Sequence, residues 1–238
     1  MRAKLVLAYL ISIVPMNALR VLLYRGLFGY RIVGSRIGWR TVIHVAHAEF
    51  DRCAISHHNR FTGPIVVQVG KGSTIGPGNT FHCGWWTLAQ DRREAGYERR
   101  LEIGDGVHIT SGHHFDCAGA LVIGDDSWIA GFASQFWTHG AGVVERNIRI
   151  GERCYVGSAS LFGPGAVIKD NTMVALGSLV ARRYPRGDLL IGGVPAEVLR
   201  ENFDWKTKQQ LDAPAAPARP AGSAPPTGSA PPTAPTAP

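Results

Sequence analysis

Between Ile150 and Val180, apolar residues recur every six positions, at Ile150, Val156, Phe162, Ile168, Val174 and Val180. A small residue stands two places before each one after the first: Cys154, Ser160, Ala166, Thr172 and Ser178. A helix brings together residues three and four apart, and a strand alternates in twos. A strict six therefore describes one short unit stacked many times, the mark of a solenoid.

The same period runs through much of the chain. Ile37 and Ile43 share it, with Thr41 in the small slot; Val69, Ile75 and Phe81 repeat it with Ser73 and Asn79. Ile103, Ile109, Phe115 and Leu121 carry it on, and after a two-residue slip Ile123 and Ile129 resume it. If each unit is a short strand plus a corner, the apolar residue points into a narrow interior and contributes roughly 1.5–3 kcal/mol when buried. The small residue keeps the corner compact, and the glycines that commonly follow, such as Gly157 and Gly163, permit the bend. Three units make one triangular coil, and coils stack in parallel at the usual strand spacing of about 4.8 Å.

Charge is concentrated at one end. Residues 1–40 hold seven basic side chains, Arg2, Lys4, Arg20, Arg25, Arg31, Arg36 and Arg40, and no acid, which equals the whole net charge of +7. The rest is balanced, so the high isoelectric point is no argument for a nucleic-acid groove across the body. The fifteen uncharged residues between Lys4 and Arg20 are broken by Pro15 and fall short of the roughly 20 that a spanning helix needs. They read as two helical pieces meeting at Pro15. The second, Met16 to Tyr30, carries Leu19, Leu22, Leu23 and Leu27 at helical spacing beside Arg20 and Arg25. Residues 1–36 form a basic amphipathic segment, suited either to an anionic membrane surface or to packing against the body or a neighbouring subunit. The four cysteines, Cys53, Cys83, Cys117 and Cys154, lack metal-site or disulfide spacing, which fits a reduced, cytoplasmic compartment, at most at the inner face of the membrane. Residues 196–212 read as a short helix with Pro195 at its first turn. Residues 213–238, nearly all Ala, Pro, Gly, Ser and Thr, read as a disordered tail.

Three breaks interrupt residues 37–195, and a regular stack carries its function where its rules are overridden. Residues 82–100 form a polar excursion holding Trp85 and Trp86, either a surface loop or a flap whose indole faces take a sugar ring. Gln135 to Asn147 stops the repeat at His139, with Gly140 and Gly142 following. The third break is the end of the stack, VARRYPRGDLLIGGVPAEVLR.

The segment WTHG ahead of IGERCYVGSASLFGPGAVI, together with the closing IGGVPAEVLR, resembles the hexapeptide-repeat acyltransferases of the sugar and polysaccharide O-acetyltransferase type. The resemblance covers about Ile37 to Arg200. It implies an all-β solenoid, a left-handed parallel β-helix, assembled as a homotrimer with active sites between neighbouring stacks. It implies acetyl-CoA as acyl donor and no metal. By resemblance His139 is the general base and the Ser158 backbone N–H the oxyanion donor. Ala159, Ser160 and Gly177 line the pantetheine channel, and Pro195 belongs to the closing motif that helps hold coenzyme A. Arg182, Arg183 and Arg200 supply charge for its phosphates. His114 and Asp116 fall where galactoside enzymes carry sugar-contacting asparagines, a departure that leaves the acceptor open. Glu145 is a candidate to orient His139, although an exposed loop glutamate fits its position better. The implied activity is direct acetyl transfer to a sugar or glycan-precursor hydroxyl, of exopolysaccharide or lipopolysaccharide type. Alternatives are a serine or nucleotide-sugar N-acyltransferase, a γ-carbonic-anhydrase-like zinc enzyme using His82, His108 and His113, and a non-catalytic membrane-associated scaffold.

Overall fold

The computed structural model of the chain describes residues 2–207, and the packed unit ends at Trp205. Six-residue units become short parallel strands on three faces. The first face stacks Arg36–Ile37, Ala54–Ile55, Thr74–Ile75, His108–Ser111, Trp128–Phe132, Tyr155–Val156, Met173–Val174 and Leu189–Gly193. The second begins with the N-terminal halves of Val42–Asp51 and Arg60–Val69. It continues through Thr80–His82, His114–Asp116, Gln135–Phe136, Leu161–Phe162 and Leu179–Val180. The third holds Arg31–Val33, the other halves of those two long strands, then Arg100–Ile103, Ala120–Ile123, Ile148–Ile150 and Val167–Ile168. Every pairing along the three faces is parallel, as the period requires, and the coil starts at Arg31 rather than Ile37.

The interior is indexed by a column of phenylalanines on the second face. Phe61, Phe81, Phe115, Phe136 and Phe162 stack with ring centroids 4.5, 4.5, 4.6 and 4.8 Å apart, all fully buried. That spacing matches adjacent strands, so each ring packs on its neighbour at no cost in register. The small slots do more than keep corners tight. Asn59 Oδ1 accepts the Asn79 N–H at 2.8 Å and Asn79 Oδ1 accepts the His113 N–H at 2.9 Å. His113 Nδ1 accepts the Ser134 N–H at 3.1 Å and Ser134 Oγ the Ser160 N–H at 3.3 Å. Buried backbone donors at this corner thus find partners in the coil before them.

Two helices, α1 (Arg2–Ser12) and α2 (Asn17–Phe28), close the N-terminal end. The leucine face of α2 is split: Leu23 packs on the core and Leu19 is half-buried, Leu22 and Leu27 are exposed, and the residues buried outright are Arg20 and Tyr24. The reason is polar. The first coil has open backbone groups, and Arg20 donates to Ile37 O from Nε at 3.1 Å and Nη2 at 2.6 Å, and to Val14 O and Pro15 O from Nη1. The Tyr24 hydroxyl lies 3.1 Å from Thr41 O and accepts the Ile43 N–H at 3.2 Å, and Asn17 Oδ1 accepts the Ile37 N–H at 2.8 Å. Leucine could satisfy none of these.

At the other end the expected helix from Ala196 is replaced by a strand. Ala196–Glu201 pairs antiparallel with Leu189–Gly193, and Val194 and Pro195 make a two-residue turn. Helical backbone is described at 205–207; the rest of the expected helix and the tail 213–238 lie outside the described residues. The Trp205 indole packs on Tyr155 and donates to Arg153 O at 2.7 Å. All four cysteines are free and buried.

Candidate active site

Phe115 points inward, so the alternation of its strand turns His114 and Asp116 outward on the second face. Thr138 and His139, one coil on, close over Asp116 and leave it 4% exposed. Asp116 Oδ2 accepts from the Thr138 N–H at 2.9 Å and from the Thr138 hydroxyl at 2.6 Å. The same oxygen lies 2.8 Å from His139 Nδ1. A carboxylate can only accept, so in the neutral imidazole Nδ1 carries the proton and Nε2 keeps its lone pair. Asp116, expected on the acceptor side, thus also contacts His139 directly. Glu145 is elsewhere: it pairs with Arg183, and both side chains are exposed.

Residues 82–100 fold back over this face through two short 3-10 helices, Trp85–Leu88 and Gln90–Ala95. Trp86 stands with its ring 5.5 Å from that of His139 and edge-on to Tyr97 at 5.2 Å. A Cβ on Gly84 would meet Trp86 Nε1 at 2.0 Å, so glycine is what lets the indole fold back. Trp85 turns away and packs on buried His44 at 5.5 Å. Of the expected tryptophan pair, only Trp86 reaches the histidine.

A second indole, Trp137, lies 6.5 Å from His139 and 4.9 Å from the His114 ring. His82 Nδ1 is 3.0 Å from Thr62 Oγ1. Burial holds His82 and His114 below the usual histidine range, with the Asp116 charge opposing it at both. Each neutral ring offers one donor and one acceptor nitrogen, which suits hydroxyl groups better than a fixed charge would. Trp137 and the contact of Asp116 with His139 escaped sequence reading. The signal was present in the phenylalanine column: Phe115 and Phe136 pair in register, which sets Asp116 level with Trp137 and next to His139.

The other expected group gathers along the corner between the first and second faces. Ala159 adopts φ +56° and its N–H bonds Phe132 O at 2.9 Å; the Gly177 N–H bonds Ser158 O at 2.9 Å. Ser158 N–H has no acceptor among the described residues. Gly131, at φ +68°, sits against Ser158, whose Oγ would lie 1.6 Å from any Cβ there. Pro195 joins this edge through Gly193, whose N–H reaches Ser178 Oγ at 3.3 Å. Ser160 does not line a channel: it is fully buried and its hydroxyl donates to Gly157 O at 2.8 Å. Arg182 lies over Tyr184, whose hydroxyl donates to Ala196 O; Arg200 is exposed on the terminal strand, and Arg183 is held by Glu145.

His139 and Ser158 are not brought together within one chain. Gln135–Phe136 and Leu161–Phe162 are paired neighbours; His139 follows the first and Ser158 precedes the second, so they occupy opposite ends of one face. The zinc alternative meets a different obstacle. His113 is 1% exposed, with Nδ1 accepting from Ser134 and Nε2 facing Thr110 Oγ1 at 3.0 Å. His108 lies on the first face against Thr74 and His82 on the second. Among the described residues no three such side chains converge as ligands.

Six-residue units, one strand and one corner each, thus account for three stacked faces and for the site at their edges. The chain is built on a six-residue repeat. No family model matches it. The bifunctional protein GlmU of Streptomyces griseus is 28% identical to this chain over 130 residues, which are 53% of this chain and 26% of GlmU. The chain therefore spans about a quarter of that relative's length. Among solved structures, the polysialic acid O-acetyltransferase OatWY is similar over 74% of this chain and 89% of its own, at 14% identity and a TM-score of 0.42. The UDP-N-acetylglucosamine O-acyltransferase LpxA of Moraxella catarrhalis is similar over 77% and 73%, at 21% identity and a TM-score of 0.45.

Proposed function

We propose that this protein is an acetyl-CoA-dependent O-acetyltransferase acting on a sugar hydroxyl, with His139 as general base. The observation that carries the reading is the 2.8 Å contact between Asp116 and His139, which leaves Nε2 bare beside two indole faces. An imidazole held in that tautomer can take a hydroxyl proton near neutral pH. The acceptor oxygen then bonds to the thioester carbonyl carbon while its proton passes to Nε2. The developing oxyanion accepts from a backbone N–H, for which Ser158 is suited. The carbon–sulfur bond breaks, the proton on Nε2 goes to the leaving thiolate, and an acetyl ester and free thiol result.

Because His139 and Ser158 stand at opposite ends of a face, a complete site needs the Ser158 edge of a neighbouring copy beside His139. This supports a homotrimer with the cofactor lying between subunits along Ala159, Gly177 and Pro195. Arg182 and Arg200 are the cations left to meet its phosphates, since Arg183 is paired with Glu145. His82 and His114, with Trp86 and Trp137, form the acceptor wall: neutral ring nitrogens for hydroxyls, indoles for the apolar face of a sugar.

The test is thiol release from acetyl-CoA against a panel of monosaccharides, oligosaccharides and lipid-linked sugars. Acceptor-dependent release by the natural chain is expected, with His139→Ala lowering it by at least about 10²-fold while circular dichroism and mass in solution stay unchanged. Unaltered turnover in that variant would remove His139 from the mechanism.

A further inference from the structure

We propose that the outer stripe of α1, together with Trp39 and Arg40, seats the protein on an anionic bilayer surface. The stripe is the side of α1 that the solenoid leaves uncovered. Ala8, Ile11 and Ser12 face inward, whereas Val6, Tyr9, Leu10 and Ile13 are exposed, Val6 at 57% and Leu10 at 56%. Trp39 is fixed at the end of the stripe: its indole donates to Ile13 O at 3.2 Å, and the Arg40 N–H donates to Ser12 O at 2.8 Å. The Arg40 guanidinium lies 4.6 Å over the Trp39 ring. Leu22, 63% exposed on α2, adds to the same end of the molecule beside exposed Arg25.

Charge chooses the occupant. Arg20 is buried on backbone carbonyls and Arg31 pairs with Glu49, but Arg2, Lys4, Arg25, Arg36 and Arg40 have no ion-pair partner among the described residues. No acid precedes Glu49. A second copy docked here would set these cations against their own kind, whereas anionic headgroups would answer them. Tyr9 and Trp39 have the amphipathic rings that settle at headgroup depth. At 11 residues α1 is too short to span, so it lies in the interface plane.

The experiment is co-sedimentation of the full chain with vesicles of phosphatidylcholine containing phosphatidylglycerol, and with vesicles of phosphatidylcholine alone. Binding is expected to the first, weak on the second, and falling as salt is raised. Arg40→Gln and Arg2→Gln should each weaken it about fivefold. Leu10→Glu combined with Ile13→Glu should reduce it to background; both side chains are solvent-facing, so the variant keeps its fold by circular dichroism. Salt-insensitive binding, equal binding to both vesicles, or no binding would overturn the proposal. So would a lower mass in solution for the double variant than for the natural chain, which would give the stripe to a second copy.

Discussion

Asp116 Oδ2 joins Thr138 and His139 at one oxygen, accepting the Thr138 N–H at 2.9 Å and standing 2.8 Å from His139 Nδ1. The bond to Thr138 fixes the carboxylate, and the carboxylate fixes which imidazole nitrogen is bare. Asp116→Asn could instead donate to Nδ1 and leave the proton on Nε2, the wrong tautomer for a base. Turnover should fall by about 10²-fold or more, with the KM for acetyl-CoA little changed. Steady-state thiol release with an acceptor found in the screen measures both. A variant as fast as the natural chain would dissolve the pair's functional meaning.

Trp85 and Trp86, adjacent in sequence, should behave differently. Trp86→Ala removes the exposed ring beside His139 and should raise the KM for the acceptor while leaving the melting temperature nearly unchanged. Trp85→Ala removes a ring packed on buried His44 and should cost about 1–2 kcal/mol of stability. Denaturant titration alongside acceptor kinetics separates the two; the reverse pattern would refute the assignment of Trp86 to the acceptor wall.

Gly131 gives Ser158 its place. Gly131→Ala sets a Cβ 1.6 Å from Ser158 Oγ in a backbone of φ +68° and should destabilise the chain by roughly 1–3 kcal/mol. Turnover should fall as the Ser158 N–H, the oxyanion donor we propose, shifts. Adding Ser158→Ala relieves the closest clash, so the double variant should be more stable than the sum of the single effects. Strict additivity would show that the two positions do not press on each other.

His113 makes stability depend on pH. Burial lowers its pKa from 6.5 to about 4, and its Nδ1 accepts the Ser134 N–H. Between those values the unfolded chain binds the proton and the folded chain does not, so this residue's contribution to stability is full above pH 6.5 and is lost as pH falls toward 4. His113→Asn keeps an acceptor in a column that already holds Asn59 and Asn79, without the titration. Urea midpoints across that window should fall less steeply in the variant; parallel curves would contradict the prediction.

The coil itself was legible because one slot in six must be apolar whatever surrounds it. His139 stood out as a candidate because it stands where that rule stops. The inward face of α2 was not, since Arg20 and Tyr24 are buried for the carbonyls they satisfy, and a hydrophobic pattern has no means of showing that. Ala196–Glu201 was misread because Pro195, which suits a helix start, serves equally in a two-residue turn. Asp116 was named for the acceptor side, but its contact with His139 was hidden by distance along the chain: only the pairing of Phe115 with Phe136 reveals that the two are neighbours.

The antiparallel strand Ala196–Glu201 bears on how far such a molecule can grow. A parallel stack offers its last rung as a template for another, and copies adding end to end would make a filament. Here the last rung of the first face is answered by a strand running the opposite way, and at the other end Arg20, Tyr24 and Asn17 occupy the groups a preceding coil would need. The number of coils is therefore set by the chain and not by its concentration.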